Sequence, residues 1–205
     1  MTHALVIMAK APQPGHAKTR LIPALGAQGA AELAARLLSH TVQTCLATTA
    51  YDVIEICATP DIDHPQFQRL AERYGSRLHW STQTGPDLGA RMCNVFERLL
   101  SVHQSVVLIG TDAPALTTPM LEGIVSRWQR EDAVFVPALD GGYALIGLRC
   151  LHPRLFEQMP WGTSAVMQIT RQRLREANAQ ALELEPVTDI DEPADLEHLP
   201  AGWLL

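Results

Sequence analysis

The chain has 205 residues, 47% of them apolar and 19% charged. That composition suits one globular domain with a sizeable core and excludes collagen-like and wholly disordered chains. Lys and Arg total 16 against 22 Asp and Glu, a formal net charge of −6, which argues against non-specific grip on nucleic acid or an anionic membrane, because both draw on clustered basic residues. A small nucleotide is not excluded.

The longest apolar runs, Ala4 to Ala9 and Val106 to Ile109, are far shorter than a bilayer span. The N-terminus lacks the basic region and small-residue cleavage site of an export signal, so a cytoplasmic location is the default expectation. Cys45, Cys57, Cys93 and Cys150 are scattered without a C-x-x-C pair, which predicts reduced thiols used in packing.

Short apolar runs alternate with longer amphipathic stretches, the pattern of strands and helices around a mainly parallel sheet. Ala4 to Ala9 reads as a strand that ends in a loop with Pro12, Pro14 and Gly15. Leu33, Leu37, Leu38, Val42 and Leu46 recur at helical spacing and predict a helix from Gly29 to about Thr48. Val53 to Ala58 reads as a strand, Pro65 to Tyr74 as a helix closed by Gly75, Leu78 to Ser81 as a short strand and Leu88 to Val102 as a helix. Ser105 to Ile109 is apolar and β-branched enough for a central strand buried on both faces. A helix from Pro119 to about Arg130 follows, with Thr118 expected as its cap. Ala133 to Pro137 and Tyr143 to Leu148 read as strands joined through Asp140-Gly141-Gly142. Ser164 to Ala177 predicts a long helix, Ala181 to Leu184 a last strand and Pro193 to His198 a short terminal helix. No repeat or linker-like stretch interrupts this order, so residues 1–205 read as a single domain.

In open α/β sheets ligands bind beyond the carboxyl ends of the strands, and three loops at such positions are chemically loaded. The first runs from Met8 to Arg20 and gathers Lys10, Lys18 and Arg20. It suits a pyrophosphate, or it is simply a solvated basic loop. It is not a P-loop, because Pro12 and Ala17 stand where that motif needs glycines. The second is Gly110-Thr111-Asp112-Ala113-Pro114. Asp112 is not needed as a helix cap, which leaves it either to brace its own turn or to hold a hard cation such as Mg²⁺. The third is Asp189-Ile190-Asp191-Glu192-Pro193, whose acids suit a second metal ligand or the capping of the helix that follows.

Asp140-Gly141-Gly142-Tyr143 reads first as a hairpin turn and second as a place where a substrate approaches the backbone. Gln83 to Arg91 reads as a rim loop entering a helix. The eight histidines show no H-x-x-x-H spacing and no G-x-S-x-G elbow is present, so neither a zinc site nor a serine hydrolase is expected. His16 could touch phosphate, though a solvent-exposed loop histidine is the simpler reading, and Trp161 either lines a pocket or packs.

Taken in order, Ala9-Lys10-Ala11-Pro12, Lys18-Thr19-Arg20-Leu21, Asp87-Leu88-Gly89, Gly110 to Pro114, Asp140 to Tyr143, Trp161-Gly162 and Asp189 to Pro193 resemble the bacterial glycosyltransferase-like family found with radical-SAM and arsenosugar genes. That family belongs to the nucleotide-diphospho-sugar transferase superfamily, and the similarity runs nearly end to end. The resemblance implies an α/β fold, a single-domain Rossmann-like three-layer sandwich of the GT-A type with a mixed, mostly parallel sheet. It implies a metal-dependent transferase that takes a nucleotide sugar and a small-molecule acceptor, or a nucleoside triphosphate in a nucleotidylyl transfer similar to that of 2-phospholactate guanylyltransferase. A non-catalytic nucleotide-binding or partner-binding protein is the reading of another class. The resemblance further implies Mg²⁺ or Mn²⁺ held by Asp112 and Asp191, with Lys18 and Asp112 as catalytic residues. Ala9, Lys10, Lys18 and Arg20 would meet the donor phosphates. Gln83, Asp87, Gly89 and Arg91 would border the nucleotide, and Asp140, Gly141, Gly142, Tyr143 and Trp161 would line the acceptor side. Two departures stand out. Thr111-Asp112-Ala113 carries one acid where many glycosyltransferases of this fold have Asp-x-Asp, as in the superfamily's nucleotidylyltransferases, and the first loop has prolines in place of a glycine-rich stretch.

Overall fold

The computed structural model describes residues 2–203. Seven strands form one sheet: β1 (His3–Lys10), β2 (Val53–Thr59), β3 (His79–Thr82), β4 (Ser105–Ile109), β5 (Ala133–Pro137), β6 (Tyr143–Leu148) and β7 (Ala181–Glu183). Their order across the sheet is β3-β2-β1-β4-β6-β5-β7. Every neighbouring pair is parallel except the two that involve β6, which runs against β4 and β5. The α-helices among the described residues are α1 (Ile22–Ala47), α2 (Pro65–Tyr74), α3 (Leu88–Leu100), α4 (Thr118–Arg127) and α5 (Val166–Glu176).

The alternation of side chains along each strand sorts the core into two faces. Leu5 and Ile7 of β1, Val107 and Ile109 of β4 and Val134 and Val136 of β5 point to the layer of α1, α2 and α4, where they meet Leu38, Val42, Phe67, Leu121 and Ile124. Ala4, Val6, Val106, Leu108 and Phe135 point the other way, onto Met92, Val95 and Phe96 of α3 and Met167 and Leu174 of α5. The result is the three-layer sandwich expected. Every residue of β4 and β5 is buried, as continuous apolar runs require.

The helix boundaries differ from expectation where local chemistry overrides periodicity. α1 begins at Ile22 rather than Gly29, and the chain kinks at Gly26 (φ 70, ψ 166), a conformation open to glycine. The cap of α4 is Thr117, whose side chain accepts from Met120 N, while Thr118 is the first helical residue and donates to Thr44 O at 2.9 Å. α4 stops at Arg127 because Trp128 turns inward: it is 1% exposed and its indole N–H donates to Glu131 O at 2.8 Å. The short helix expected at Pro193–His198 keeps those bounds; it is of 3-10 type and is opened by reciprocal capping between Glu192 and Asp195. Its segment packs with Ile190 over Leu21, Ala30, Leu33 and Leu37, forming a small third core.

One charge lies inside the body of the sandwich. Glu55 of β2, only 5% exposed at its side chain, is gripped by both terminal nitrogens of Arg98 on α3 (3.0 and 2.5 Å) and accepts from the Ser81 hydroxyl at 2.5 Å. The bidentate geometry satisfies a carboxylate that could not be left alone there. No described helix is long and apolar enough to cross a membrane.

Candidate functional site

The reversal of β6 decides where the site forms. The end of β5 and the start of β6 lie at the same sheet edge as the carboxyl ends of β1 and β4, so the hairpin 138–142 stands beside the loops that leave β1 and β4. The chain after β7 then returns along this edge. Ala138 bridges Val187, and Ile190 N donates to Asp112 O at 2.8 Å. Four segments far apart in sequence thus meet at one cleft of about 570 Å³, whose wall is completed by residues from the starts of α3 and α5.

Of the expected site residues, Lys10, Lys18, Arg20, Asp112, Asp140, Gly142, Tyr143, Trp161 and Asp191 line this cleft. The others do not. Ala9 is fully buried in β1. Gln83 donates to Cys57 O at 2.9 Å and ties the end of β3 to β2. Asp87 caps α3 by accepting from Ala90 N, and Arg91 donates to Gly85 O at 3.1 Å. Gly89 and Gly141 work at close packing rather than at an open surface. A Cβ on Gly89 would lie 2.4 Å from Phe156 O, and one on Gly141, where φ is +95°, would lie 2.4 Å from Ser164 O. Asp140 accepts from Gly142 N at 2.8 Å, as the hairpin reading predicts.

The structure adds wall residues to which the sequence reading gave no site role: Met8, Leu88, Met92, Thr163 and Val166. Met8 carried a faint signal as the last half-buried apolar residue before the basic loop. Val166 and Thr163 carried none, because only the fold brings the start of α5 opposite β1.

At the floor the charges are arranged around Lys18. Its side chain is 6% exposed, and its ammonium sits 2.8 Å from Asp112 Oδ1, 3.3 Å from Asp191 Oδ1 and 2.5 Å from Ile190 O. The residue adopts the left-handed conformation (φ 47, ψ 47), unfavourable for a side chain of this kind by about 1–2 kcal/mol. Such a cost persists where the surroundings over-determine the position. Asp191 gives its second oxygen to Arg20 Nη1 at 2.8 Å. Lys18 is therefore not the open phosphate contact that the loop suggested. Lys10 and Arg20 are the exposed cations of the cleft.

Asp189 faces the same cleft without a cation of its own among the described residues. Burial, and after it the charge of Asp140, pushes its carboxyl up to about 6; Asp191 and Asp112 add smaller contributions in the same direction.

A divalent ion bridged by Asp112 and Asp191 would need the gap between them. Both are hard oxygen donors of suitable chemistry, and the fold does bring them together. Yet the point where they converge holds the Lys18 ammonium, and both oxygens of Asp191 face cations. Among the described residues no three His, Cys, Asp or Glu side chains converge as an ion-binding group. As placed, the residues do not fit an ion bridged between these two aspartates.

Residues 41–163 match the profile of a family described as "Uncharacterized protein conserved in bacteria (DUF2064)". The chain belongs to this family. Its structure superposes on a protein of Desulfovibrio desulfuricans G20 that carries the provisional name nucleotide-diphospho-sugar transferase, with a TM-score of 0.84 and 30% identity over 94% of this chain and 84% of that one. More distant members of the fold include a 4-diphosphocytidyl-2C-methyl-D-erythritol synthase of Anaerococcus prevotii DSM 20548 (TM-score 0.64, 10% identity, 96% and 93% covered). CMP:2-keto-3-deoxy-manno-octonic acid synthetase in complex with CTP is another (TM-score 0.58, 12% identity, 97% and 96% covered). No curated protein matches the chain by sequence. The DUF2064 protein thus shares the fold of the nucleotide-diphospho-sugar transferases and the cytidylyltransferases.

Proposed function

We propose that the protein is a transferase that acts on a nucleotide-linked donor and delivers a glycosyl group to a small acceptor. The observation that carries this reading is the cleft at the carboxyl edge of β1 and β4, where exposed Lys10 and Arg20 stand beside a fixed Lys18–Asp112–Asp191 cluster. A diphosphate group needs cations placed where its negative charge grows as the bond to the sugar breaks, and preorganised charges act there without rearranging. Lys10 and Arg20 would take the phosphates. Tyr143 and Trp161, whose rings meet edge to face at 6.3 Å, would wall the acceptor side. The family relative of D. desulfuricans supports the same class by its name.

A second reading, nucleotidylyl transfer from a nucleoside triphosphate, is favoured by the single acid of Thr111-Asp112-Ala113 and by the cytidylyl-transfer enzymes that share the fold. In that reaction a phosphate of the acceptor attacks the α-phosphate and pyrophosphate leaves.

A thermal-shift screen of nucleoside triphosphates and nucleotide sugars, followed by product analysis on the best ligand, tests both. Release of nucleoside diphosphate supports glycosyl transfer, and release of pyrophosphate supports the second reading. If no nucleotide raises the melting temperature, both fail and a partner-binding role replaces them.

A further inference from the structure

We propose that the Lys18 ammonium is the resident cation of the cleft, filling the place between Asp112 and Asp191 and keeping a divalent ion out of it. The proposal rests on the reading of the cleft as a phosphate site only for what Lys18 achieves there, not for where it sits.

The coordination is that of an ammonium. A lysine head group has three N–H donors and no acceptor. Here three oxygens surround it, one from each of Asp112 and Asp191 and one from the Ile190 carbonyl. Nothing is left over on the nitrogen for a solvent contact, in keeping with a side chain that is 6% exposed. The Ile190 carbonyl gives the position a backbone anchor. The same residue's N–H is held by Asp112 O at 2.8 Å, so loop and tail are fastened to each other on both sides of the ammonium.

The backbone agrees. Lys18 is held left-handed (φ 47, ψ 47), between Ala17 and Leu21, which are 5% and 0% exposed. This conformation swings the side chain under the loop. A lysine meant only to sweep the solvent for phosphate has no use for a strained and buried origin.

The charges agree as well. Asp112 and Asp191 are matched by Lys18 and Arg20, so these two carboxylates meet a ligand already paired. Without Lys18, Asp112 would be left uncompensated, with Asp191 held by Arg20 alone, and the floor would repel an incoming phosphate. With it, a bridging dication would share its ligands with an ammonium at contact distance, which like-charge repulsion opposes.

The test is Mn²⁺ binding, followed by electron paramagnetic resonance and by calorimetry, on the wild-type full chain, Lys18→Met and Lys18→Met/Asp112→Asn. The wild type is expected to take up no Mn²⁺ at millimolar concentration. Lys18→Met, which frees Asp112, one oxygen of Asp191 and the Ile190 carbonyl, should bind one ion about 10–100-fold more tightly than wild type, and the double variant should lose that gain. In parallel, pyrophosphate with chelator present should bind wild type better than Lys18→Met, and Mn²⁺ should restore binding to the variant. One Mn²⁺ bound to wild type and abolished by Asp112→Asn overturns the proposal, as does a folded Lys18→Met with no gain in Mn²⁺ affinity. Circular dichroism reports folding, and the wild-type titration decides even if the variant is unfolded. A wild type that binds pyrophosphate under no condition counts against the phosphate cleft and not against Lys18, because the Mn²⁺ titration stands by itself.

Discussion

Two of the ion clusters among the described residues are of opposite build. Between β2 and α3 the acid is buried and the base partly exposed: the Glu55 side chain is 5% exposed and that of Arg98 45%. At the cleft the base is buried and the acids face outward, with Lys18 at 6% and Asp112 and Asp191 at 45% and 40%. The first cluster is closed, since two guanidinium nitrogens and the Ser81 hydroxyl take up the carboxylate. The second is open on its carboxylate side and lies next to Asp189 and Asp140, which carry no cation of their own among the described residues. A closed cluster holds the sandwich together, whereas an open one presents charge to whatever enters the cleft. Disturbing the first should therefore cost stability, and disturbing the second should change binding.

The largest expected effect is on the closed cluster. Arg98→Met leaves Glu55 buried and unpaired, a change that costs about 3–5 kcal/mol in the general case. The lower end applies here, because water already reaches the half-exposed guanidinium. Urea unfolding should show the loss, while ligand binding by the surviving folded fraction should be unchanged. A loss of less than about 0.5 kcal/mol would place this pair among ordinary surface contacts.

Gly141→Ala should come next and should affect both stability and binding. Its Cβ would enter the Ser164 backbone at a positive φ, a strain of about 1–3 kcal/mol. The hairpin would have to move away from the start of α5, so denaturant midpoint and nucleotide affinity should fall together. A variant that loses stability but keeps full affinity would show that the hairpin does not shape the cleft.

Arg20→Ala sharpens the comparison from the open side. The side chain is 57% exposed and pairs with Asp191, so its removal should shift stability by less than about 1 kcal/mol. Affinity for the best nucleotide found by thermal shift should nevertheless fall about tenfold or more, the effect of losing a hydrogen bond to a charged group. Equal affinity in titration calorimetry would remove Arg20 from the phosphate site.

The smallest effect concerns pH. Burial and the neighbouring Asp140 raise the Asp189 carboxyl from its ordinary range to about 6, so folding penalises its charged form. The penalty is absent below the unfolded value, grows between about pH 4 and pH 6, and is complete above that. Asp189→Asn should accordingly raise the melting temperature by about 2–4 °C at pH 8, the shift that about 1 kcal/mol produces in a chain of this size. At pH 4 it should leave the melting temperature unchanged. A gain of the same size at both values would exclude titration of this carboxyl as the cause.

Local pattern made much of this architecture legible. The strands β4 and β5 were readable because a strand buried on both faces must be continuously apolar, and α2 because a proline opens it and a glycine closes it. The loops that carry Lys10, Lys18, Arg20, Asp112 and Asp191 were readable for a related reason: charge placed directly after a buried strand has to face the sheet edge. Gln83, Asp87 and Arg91 were misleading. A polar side chain near a site has the same composition whether it meets a ligand or satisfies a backbone carbonyl, and here all three hold backbone groups.

The sequence by itself determined the fold class, the positions of most strands and helices and the loops that bear charge, since these follow from interactions a few residues apart. Only the tertiary structure decided that β6 lies between β5 and β4 and runs against β4, and that Lys18 lies between Asp112 and Asp191. Those partners are brought together by pairing across more than 90 positions of chain, with Lys18 and Ile190 separated by 172. No local preference of a lysine states whether its ammonium will reach into solvent or find three oxygens waiting on another loop, because that depends on where the rest of the chain has already packed.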